Sequence, residues 1–148
     1  MTGQNTAYEL IGGETGVREL VDRFYDLMDR DESLKPLREM HAKSLKGSRE
    51  KLFLFLSGWL GGPDLYVQRY GHPRLRARHM PFSIGIAERD QWMSCMYCAM
   101  QEMGMEEGLR RTLGENFAKT ADFMRNRPEP IKPSEITRPG GRAKDSAR

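Results

Sequence analysis

The sequence predicts an all-α fold. Apolar residues recur three and four positions apart over several long stretches, as on the buried face of an amphipathic helix. No apolar run with a period of two is long enough to suggest a β-sheet, and no internal repeat is present. Glycine pairs and prolines separate the helical stretches at points where helices usually end.

The composition indicates a soluble globular protein. The chain has 148 residues, of which 38% are hydrophobic and 30% charged, and this length is sufficient for one domain with a buried core. No stretch approaches the roughly 18 apolar residues of a membrane span, and the N-terminus lacks the pattern of a signal peptide. Two cysteines three positions apart suggest free thiols in a reducing compartment. We therefore expect a cytoplasmic protein without membrane contact.

The C-terminal part of the chain differs from the rest in composition. Residues 128–148 contain four of the eight prolines, a glycine pair and very few apolar side chains. We expect them to form a flexible, basic, Pro/Gly-rich extension after a folded domain of residues 1–127. The extension has five basic and three acidic side chains, so the domain carries only +1 of the total net charge of +3. Such a nearly neutral domain does not suit nucleic acid as a partner.

Two helices are predicted before residue 30. Thr6 and Glu9 fit a capping box for a short first helix, which a glycine pair ends. An amphipathic helix is predicted over residues 14–29, where apolar residues recur at helical spacing. The break after it includes Pro36, and a long loop is expected to run to about Lys46.

Three further helices are predicted in the rest of the domain. Ser48 is the expected N-cap of a helix that ends at about residue 60, before a Gly-Gly-Pro sequence. Residues 63–87 have room for one or two short helical turns, notably over residues 73–80. Long helices are predicted over residues 87–103 and 106–126. Their inward faces are expected to carry Trp92, Met96, Ala99, Met103, Leu109, Leu113, Phe117, Phe123 and Met124.

The sequence lacks the motifs of several common enzyme classes. It contains no phosphate-binding loop, no dinucleotide-binding glycine pattern, no zinc-protease motif and no nucleophile elbow. None of its three histidines has a glutamate three residues before it, which excludes a di-iron site of the helical-bundle type. Cys95 and Cys98 form a C-x-x-C pair within a predicted helix, but no second ligand pair completes a zinc site. We expect both to be ordinary helix residues.

The position of His79 in the sequence suits a metal ligand. His79 lies in a short predicted helix, stopped by Pro81, between two long amphipathic helices. A single imidazole presented toward an all-α core is what haem iron requires on its proximal side. The surrounding Phe, Met, Leu and Trp suit a flat apolar macrocycle, and basic residues suit its carboxylates. On these residues alone, a structural role for His79 is the alternative.

The sequence around His79 resembles the group II truncated haemoglobins. The resemblance rests on the run Tyr70-Gly-His-Pro-Arg-Leu-Arg-Ala-Arg-His79-Met-Pro-Phe82, followed by Glu88-Arg-Asp-Gln-Trp92. Shorter matches are Ile11-Gly-Gly-Glu14, Arg23-Phe-Tyr25 and Leu60-Gly-Gly-Pro63. The segments follow the order of the family, and the similarity as a whole covers about residues 6–127. The resemblance implies a shortened globin fold in which two antiparallel helix pairs enclose haem b, two helices over two.

The resemblance also implies which residues bind the haem. It assigns His79 as the proximal iron ligand, and it matches Arg78 and Lys51 to basic residues that pair with the haem propionates. Solvated surface charges are the alternative for these two cations. His72 is expected to be a surface residue. The other expected haem-binding residues are Ser48, Leu52, Phe55, Tyr66, Met80, Phe82 and Ile84.

On the distal side, the resemblance assigns three ligand-binding residues. Tyr25 and Trp92 match residues whose O–H and N–H groups donate hydrogen bonds to an iron-bound diatomic molecule. His41 falls near a position where relatives carry an aromatic ring, if the loop before it is about three residues longer than usual. His41 then either donates to the bound ligand or coordinates the iron as a sixth ligand. The alternative is an exposed loop histidine.

The implied function is binding of dioxygen and related diatomic ligands by a haem b protein. The iron is then five-coordinate, or reversibly six-coordinate. An enzyme-like alternative is redox chemistry at the same iron, as a peroxidase or a nitric oxide dioxygenase, with a reductase as partner. Strong distal donors would favour these roles, or sensing, over bulk oxygen transport because ligand release is slow. A third hypothesis is that the basic extension docks a partner such as a reductase or a nucleic acid. Both a monomer and a homodimer fit the sequence.

Overall fold

Residues 6–126 are described by a computed structural model, and they form eight α-helices and one 3₁₀ turn without a β-strand. The predicted all-α class is therefore confirmed for this part of the chain. In chain order, α1 to α8 are Ala7–Leu10, Gly13–Arg30, Lys35–Glu39, Lys46–Trp59, Leu65–Tyr70, Leu75–His79, Ile86–Glu102 and Glu107–Phe123, and the 3₁₀ turn is Glu32–Leu34.

Four long helices build the core as two pairs. Helix α2 packs against α4, and α7 packs against α8. A contact between α2 and α7 joins the two pairs into one body. The short helices α5 and α6 lie in the connection from α4 to α7, so the segment that carries His79 is bounded by long helices on both sides.

The core is made of apolar side chains that share one face of each long helix. Leu20 and Phe24 of α2 are completely buried, as are Met96 and Met100 of α7. Burying one side chain of this size contributes about 1.5–3 kcal/mol to the stability of the fold. Spacings of four residues within each pair place both members on the same helix face, which is why the sequence pattern predicted these helices.

Helix α1 is fixed by its cap and by a close approach to α2. The Thr6 hydroxyl accepts a hydrogen bond from the Glu9 N–H, and the Glu9 carboxylate accepts one from the Thr6 N–H, both at 3.2 Å. The predicted capping box is therefore confirmed. A Cβ atom on Gly16 would collide with the carbonyl group of Ile11. The turn between α1 and α2 thus depends on a glycine at this position.

The segment between α2 and α4 differs from the predicted long loop. It contains the 3₁₀ turn and α3, with Pro36 in the first turn of α3. Proline is tolerated there because its missing N–H group has no helical acceptor in the first turn. The prediction that Ser48 caps α4 is also wrong. The helix begins at Lys46 with Leu45 as its N-cap, so Ser48 lies inside the first turn.

Helix α8 ends three residues earlier than predicted, at Phe123. The prediction that Phe123 faces inward is wrong, since 62% of its surface is exposed, whereas Met124 is buried as expected. Successive residues of a helix point about 100° apart, so neighbours seldom share a buried face. The Arg76 guanidinium lies 5.7 Å from the centre of the exposed Phe123 ring.

The other helices lie close to their predicted positions. Both cysteines are free and lie within α7, with Cys95 buried and Cys98 exposed, as expected of ordinary helix residues. Within residues 6–126, no helix is long and apolar enough to cross a membrane. The predicted extension over residues 128–148 lies outside the described residues.

Candidate functional site

His79 is the last residue of α6, and a backbone carbonyl fixes the orientation of its ring. The Nδ1 atom of His79 lies 2.6 Å from the carbonyl oxygen of Leu75. A carbonyl oxygen only accepts hydrogen bonds, so Nδ1 carries a proton, and in the neutral form of the ring the lone pair lies on Nε2. A metal-ligating imidazole is usually oriented in this way, by a hydrogen bond from the ring nitrogen that does not bind the metal. The structure therefore presents a half-buried His79 whose ring is oriented through Nδ1, which leaves Nε2 as the nitrogen that a metal could bind.

Apolar side chains that follow His79 are left uncovered. Met80 and Phe82 expose 53% and 42% of their surfaces, whereas Ile84 is buried. On α4, Leu52 and Phe55 are half-buried and pack partly against the core. Large apolar side chains left exposed in this way mark a site that an apolar ligand or partner covers.

Two cations from different helices lie over neighbouring tyrosine rings. Tyr66 is buried, and its ring lies 4.9 Å from that of Tyr70. The Arg78 guanidinium is 5.8 Å from the Tyr66 ring, and the Lys51 ammonium group is 5.7 Å from the Tyr70 ring. Tyr66 also packs edge-to-face with Phe55 at 6.4 Å. The structure thus brings together four residues that the resemblance assigned to haem binding.

Tyr25 is buried in α2, with its hydroxyl beside Ser48 of α4. Only 6% of Tyr25 is exposed. Burial raises the pKa of the Tyr25 phenol well above its ordinary value, and the nearby Cys95 thiol raises it further. The Arg49 guanidinium and a hydrogen bond with Ser48 oppose this effect and lower the pKa. The phenol therefore keeps its proton at neutral pH and is able to donate a hydrogen bond.

Trp92 lies in α7 between two phenylalanines. Its ring centre is 5.2 Å from that of Phe24 and 5.7 Å from that of Phe117. The side chain is half-buried. Within residues 6–126, the hydrogen bonds that the structure contains do not include one from the Trp92 indole N–H. This N–H group is thus available to a ligand.

His41 lies beside Tyr25 and is not an exposed loop residue. The two ring centres are 5.8 Å apart in an edge-to-face arrangement. The Nδ1 atom of His41 lies 3.0 Å from the Leu37 carbonyl oxygen, so Nδ1 carries the proton here as well. Burial lowers the pKa of His41 and the charge of Arg38 lowers it further, whereas the hydrogen bond with the Leu37 carbonyl oxygen opposes them.

Two polar residues that the sequence did not single out position His41. The Gln91 side chain accepts a hydrogen bond from the Leu37 N–H at 3.1 Å, which joins α3 to α7. The Arg38 guanidinium donates to the backbone carbonyls of the two residues after His41, at 2.9 and 2.7 Å. Gln91 and Leu37 are 54 positions apart, so no local pattern could reveal their contact. His72 is exposed, as expected, and accepts a hydrogen bond from the backbone of Arg74 at 3.0 Å.

The residues around His79 fit a haem group by their chemistry. His79 offers one neutral nitrogen for iron, and the uncovered side chains of Met80 and Phe82 suit the faces of a porphyrin. Arg78 and Lys51 supply positive charge for its carboxylates. Each of these groups remains accessible in the folded chain.

Three surface clefts of about 610, 470 and 380 Å³ lie elsewhere on the molecule. None of their linings includes His79, Tyr25 or Trp92. The two larger clefts are lined mainly by charged side chains that pair with one another, as Arg23 does with Glu19 at 2.8 Å. Such polar grooves do not suit an apolar macrocycle.

Comparison with known proteins identifies a family for this fold. The sequence profile of the bacterial-like globins matches residues 6–126. Group 2 truncated hemoglobin YjbI from Bacillus subtilis is 41% identical over 125 residues, which are 84% of this chain and 92% of that protein.

Solved structures give the same result. The cold-adapted truncated hemoglobin of the Antarctic marine bacterium Pseudoalteromonas haloplanktis is 48% identical, with a TM-score of 0.82 over 84% of this chain and 100% of that chain. The group II 2-on-2 hemoglobin of Agrobacterium tumefaciens is 41% identical, with a TM-score of 0.83 over 86% of this chain and 100% of that chain. The predicted two-over-two fold is thereby confirmed. The chain belongs to the bacterial-like globin family, and within it to the group II truncated haemoglobins, whose cofactor is haem.

Proposed function

We propose that this chain binds haem b through His79 and takes up dioxygen and related diatomic ligands on the opposite face of the haem. The observation that carries the proposal is the 2.6 Å hydrogen bond between His79 Nδ1 and the Leu75 carbonyl oxygen. It leaves Nε2 as a neutral, oriented donor atom. When bound, haem supplies an iron atom that accepts a histidine nitrogen on one side and a diatomic ligand on the other.

Side chains of three helices and the segment after α6 hold the cofactor in this proposal. Arg78 and Lys51 bind the propionates through charge-assisted hydrogen bonds. The side chains of Met80 and Phe82 are exposed in the chain alone, and the porphyrin would cover them. Each square ångström of apolar surface covered in this way contributes about 25 cal/mol to binding. Ser48, Leu52, Phe55, Tyr66 and Ile84 complete the proposed haem-binding set.

Tyr25 and Trp92 donate hydrogen bonds to the bound ligand. Support comes from the protonated, buried phenol of Tyr25 and from the accessible indole N–H of Trp92. A hydrogen bond to an acceptor that carries charge contributes about 1.5–3 kcal/mol, so two such donors make oxygen release slow. A relative from Bacillus subtilis with 41% identity and a TM-score of 0.74 is described as a truncated oxygen-avid haemoglobin. We expect this chain to bind oxygen tightly in the same way.

His41 has a different role from these two donors. Its Nδ1 proton is used by the Leu37 carbonyl, and its lowered pKa keeps the ring neutral at pH 7. Its Nε2 atom then carries a lone pair and no hydrogen to donate. In the haem-loaded protein, His41 would be suited to coordinate the iron reversibly as a sixth ligand.

Oxygen dissociation from two distal variants tests this function. We expect Tyr25→Phe and Trp92→Phe each to release oxygen about ten to a hundred times faster than the parent protein, because each loses one donor. Tyr97→Phe is the matched control, since Tyr97 is an exposed tyrosine of α7. Dissociation rates that stay within about twofold of the parent in both distal variants would contradict the proposed donors.

A redox role at the same site is a second candidate. It is favoured by the packing of two oxidisable side chains around one ring, since Tyr25 and Trp92 both contact Phe24, at 4.9 and 5.2 Å. Such residues are able to supply an electron and a proton to a bound oxidant. Turnover of peroxide with a reducing dye that falls in both Tyr25→Phe and Trp92→Phe, but not in Tyr97→Phe, would support this role. Turnover equal in all of them would exclude these side chains as the source.

A further inference from the structure

Asn126, just after the end of α8, is hydrogen-bonded to the segment that carries His79. Its side-chain Nδ2 donates to the carbonyl oxygens of Phe82 and His79, at 2.8 and 3.3 Å. Its side-chain Oδ1 accepts from the Ile84 N–H at 2.9 Å, and its own backbone N–H donates to the Ile84 carbonyl at 2.8 Å. One residue thus holds three positions of residues 79–84.

A second side chain ties α6 itself to the same end of α8. Arg76 lies one helical turn before His79, and its guanidinium donates to the carbonyl oxygens of Phe123 and Arg125, at 2.7 and 2.8 Å. The Phe123 carbonyl belongs to the last residue of α8, where carbonyl groups lack partners within the helix, and Arg125 lies two residues beyond it. The Arg76 side chain thus reaches from α6 to the end of α8, and the Asn126 side chain reaches from the end of α8 back to residues 79–84.

We propose that residues 123–126, the C-terminal latch, position His79 and so set the geometry with which it meets the haem iron. The bonds from Arg76 join α6 to the end of α8, and the bonds from Asn126 fix the backbone at and after His79. The hydrogen bond to the Leu75 carbonyl oxygen then fixes the rotation of the His79 ring. The proposal rests on His79 as the iron ligand, and it makes Asn126 and Arg76 positioning residues.

Asparagine is the side chain that suits position 126. Its amide offers one acceptor, which meets the Ile84 N–H, and two donor hydrogens, which meet two carbonyls. Aspartate has the same size but would place a carboxylate against the carbonyl oxygens of His79 and Phe82. Asn126→Asp therefore removes the donors while it retains the volume, and Asn126→Ala removes all the side-chain bonds.

The test compares full-length, haem-loaded protein carrying Asn126→Ala or Asn126→Asp with the parent. The matched control is Asn116→Ala, an exposed asparagine of α8. We expect the iron–histidine stretching band of the ferrous protein, measured by resonance Raman spectroscopy, to shift or broaden in both Asn126 variants. Transfer of haem to an excess of an acceptor apoprotein should become about tenfold faster. Asn116→Ala should match the parent in both measurements.

A measurement on the haem-free chain gives a second readout. The Ile84 amide is protected by the Asn126 side chain, so hydrogen exchange at this amide should accelerate in Asn126→Ala and not in Asn116→Ala. Arg76→Gln tests the other half of the latch without a change at Asn126. Its control is Arg111→Gln, an exposed arginine in an i, i+4 pair with Glu107.

The outcomes separate the latch from the haem ligand. Parent-like band positions, haem-transfer rates and Ile84 exchange in all the latch variants would overturn the latch. An iron–histidine band that persists in His79→Gly would instead overturn His79 as the ligand, and with it the proposed function. A shifted band in the Asn126 variants, together with loss of the band in His79→Gly, supports both.

Discussion

The two histidines that face the proposed haem site are held in the same way. His41 and His79 each use Nδ1 to contact the carbonyl oxygen four residues earlier, at 3.0 and 2.6 Å. In both rings the lone pair is left on Nε2. The motif around His79 indicates its proposed role from the sequence alone, but the tautomer of either ring depends on backbone geometry that only the folded chain provides. The same holds for the Ser48 hydroxyl, which meets Tyr25 across two helices.

Substitution of His41 tests whether its lone pair reaches the iron. We expect the ligand-free ferrous parent protein to contain a six-coordinate fraction with sharp, resolved absorption bands, and His41→Leu to lose it. His72→Leu, at an exposed histidine, is the control and should keep the parent spectrum. Identical spectra for the parent and His41→Leu would show that His41 does not coordinate the iron.

The two thiols of α7 should differ strongly in reactivity. Burial raises the pKa of the Cys95 thiol to about 12, and its Sγ lies 3.1 Å from the Phe24 carbonyl oxygen. Because the thiolate is the reactive form, Cys95 should resist alkylation from pH 7 to pH 10, whereas the exposed Cys98 should react quickly. Mass spectrometry after iodoacetamide treatment should find one modified cysteine in the folded protein and two in denaturant. Equal rates at both positions in the folded protein would contradict the burial of Cys95.

At the scale of helices, the sequence correctly predicted the helices that have a long apolar face. It did not predict the structural features that depend on tertiary contacts. Periodicity revealed α2, α7 and α8 because their buried residues repeat along one side. It missed α3, since Pro36 normally marks a break but here occupies a first turn. It could not reveal the bonds of Asn126, whose partners lie up to 47 positions away.

The contact between α1 and α2 gives a prediction about stability. A Cβ atom at Gly16 would overlap the Ile11 carbonyl group, so Gly16→Ala must displace α1. We expect the free energy of unfolding to fall by more than about 2 kcal/mol in this variant. Gly47→Ala is the matched control, since a Cβ atom there meets nothing within 4 Å and the residue lies in the first turn of α4. It should raise stability by about 0.4–1 kcal/mol.

Chemical denaturation monitored by circular dichroism measures both changes. The expected order of stability is Gly47→Ala, then the parent, then Gly16→Ala. A Gly16→Ala protein as stable as the parent would show that α1 is not held closely against α2 in solution.

At the scale of the whole molecule, the globin family covers residues 6–126, and the basic extension lies beyond the match. The latch at residues 123–126 lies at the end of this match, so the domain should stop shortly after Asn126. The composition predicts a boundary at residue 127, since prolines and charges replace apolar residues after it. What composition could not indicate is that the last few residues before the boundary contact the segment of His79.

Two truncations test this boundary. A chain that ends at Arg127 retains the latch and should keep the haem spectrum and thermal stability of the full chain. A chain that ends at Phe123 lacks Asn126 and should lose haem faster, because residues 79–84 lose their hydrogen-bond partners. Equal rates of haem loss from both truncated chains would contradict the proposal that the residues after Phe123 help the domain to retain haem.

The most direct test of haem binding through His79 is the absorption spectrum of the protein beside those of His79→Gly and His72→Gly. All three are refolded with haemin and recorded in the ferric and ferrous states. We expect a strong Soret band in the parent and in His72→Gly, where the lost imidazole is exposed at the surface. In His79→Gly the band should be lost or shifted, since this variant lacks the imidazole nitrogen that is proposed to bind the iron. A parent protein without a Soret band, or a His79→Gly spectrum identical to that of the parent, would contradict haem binding through His79.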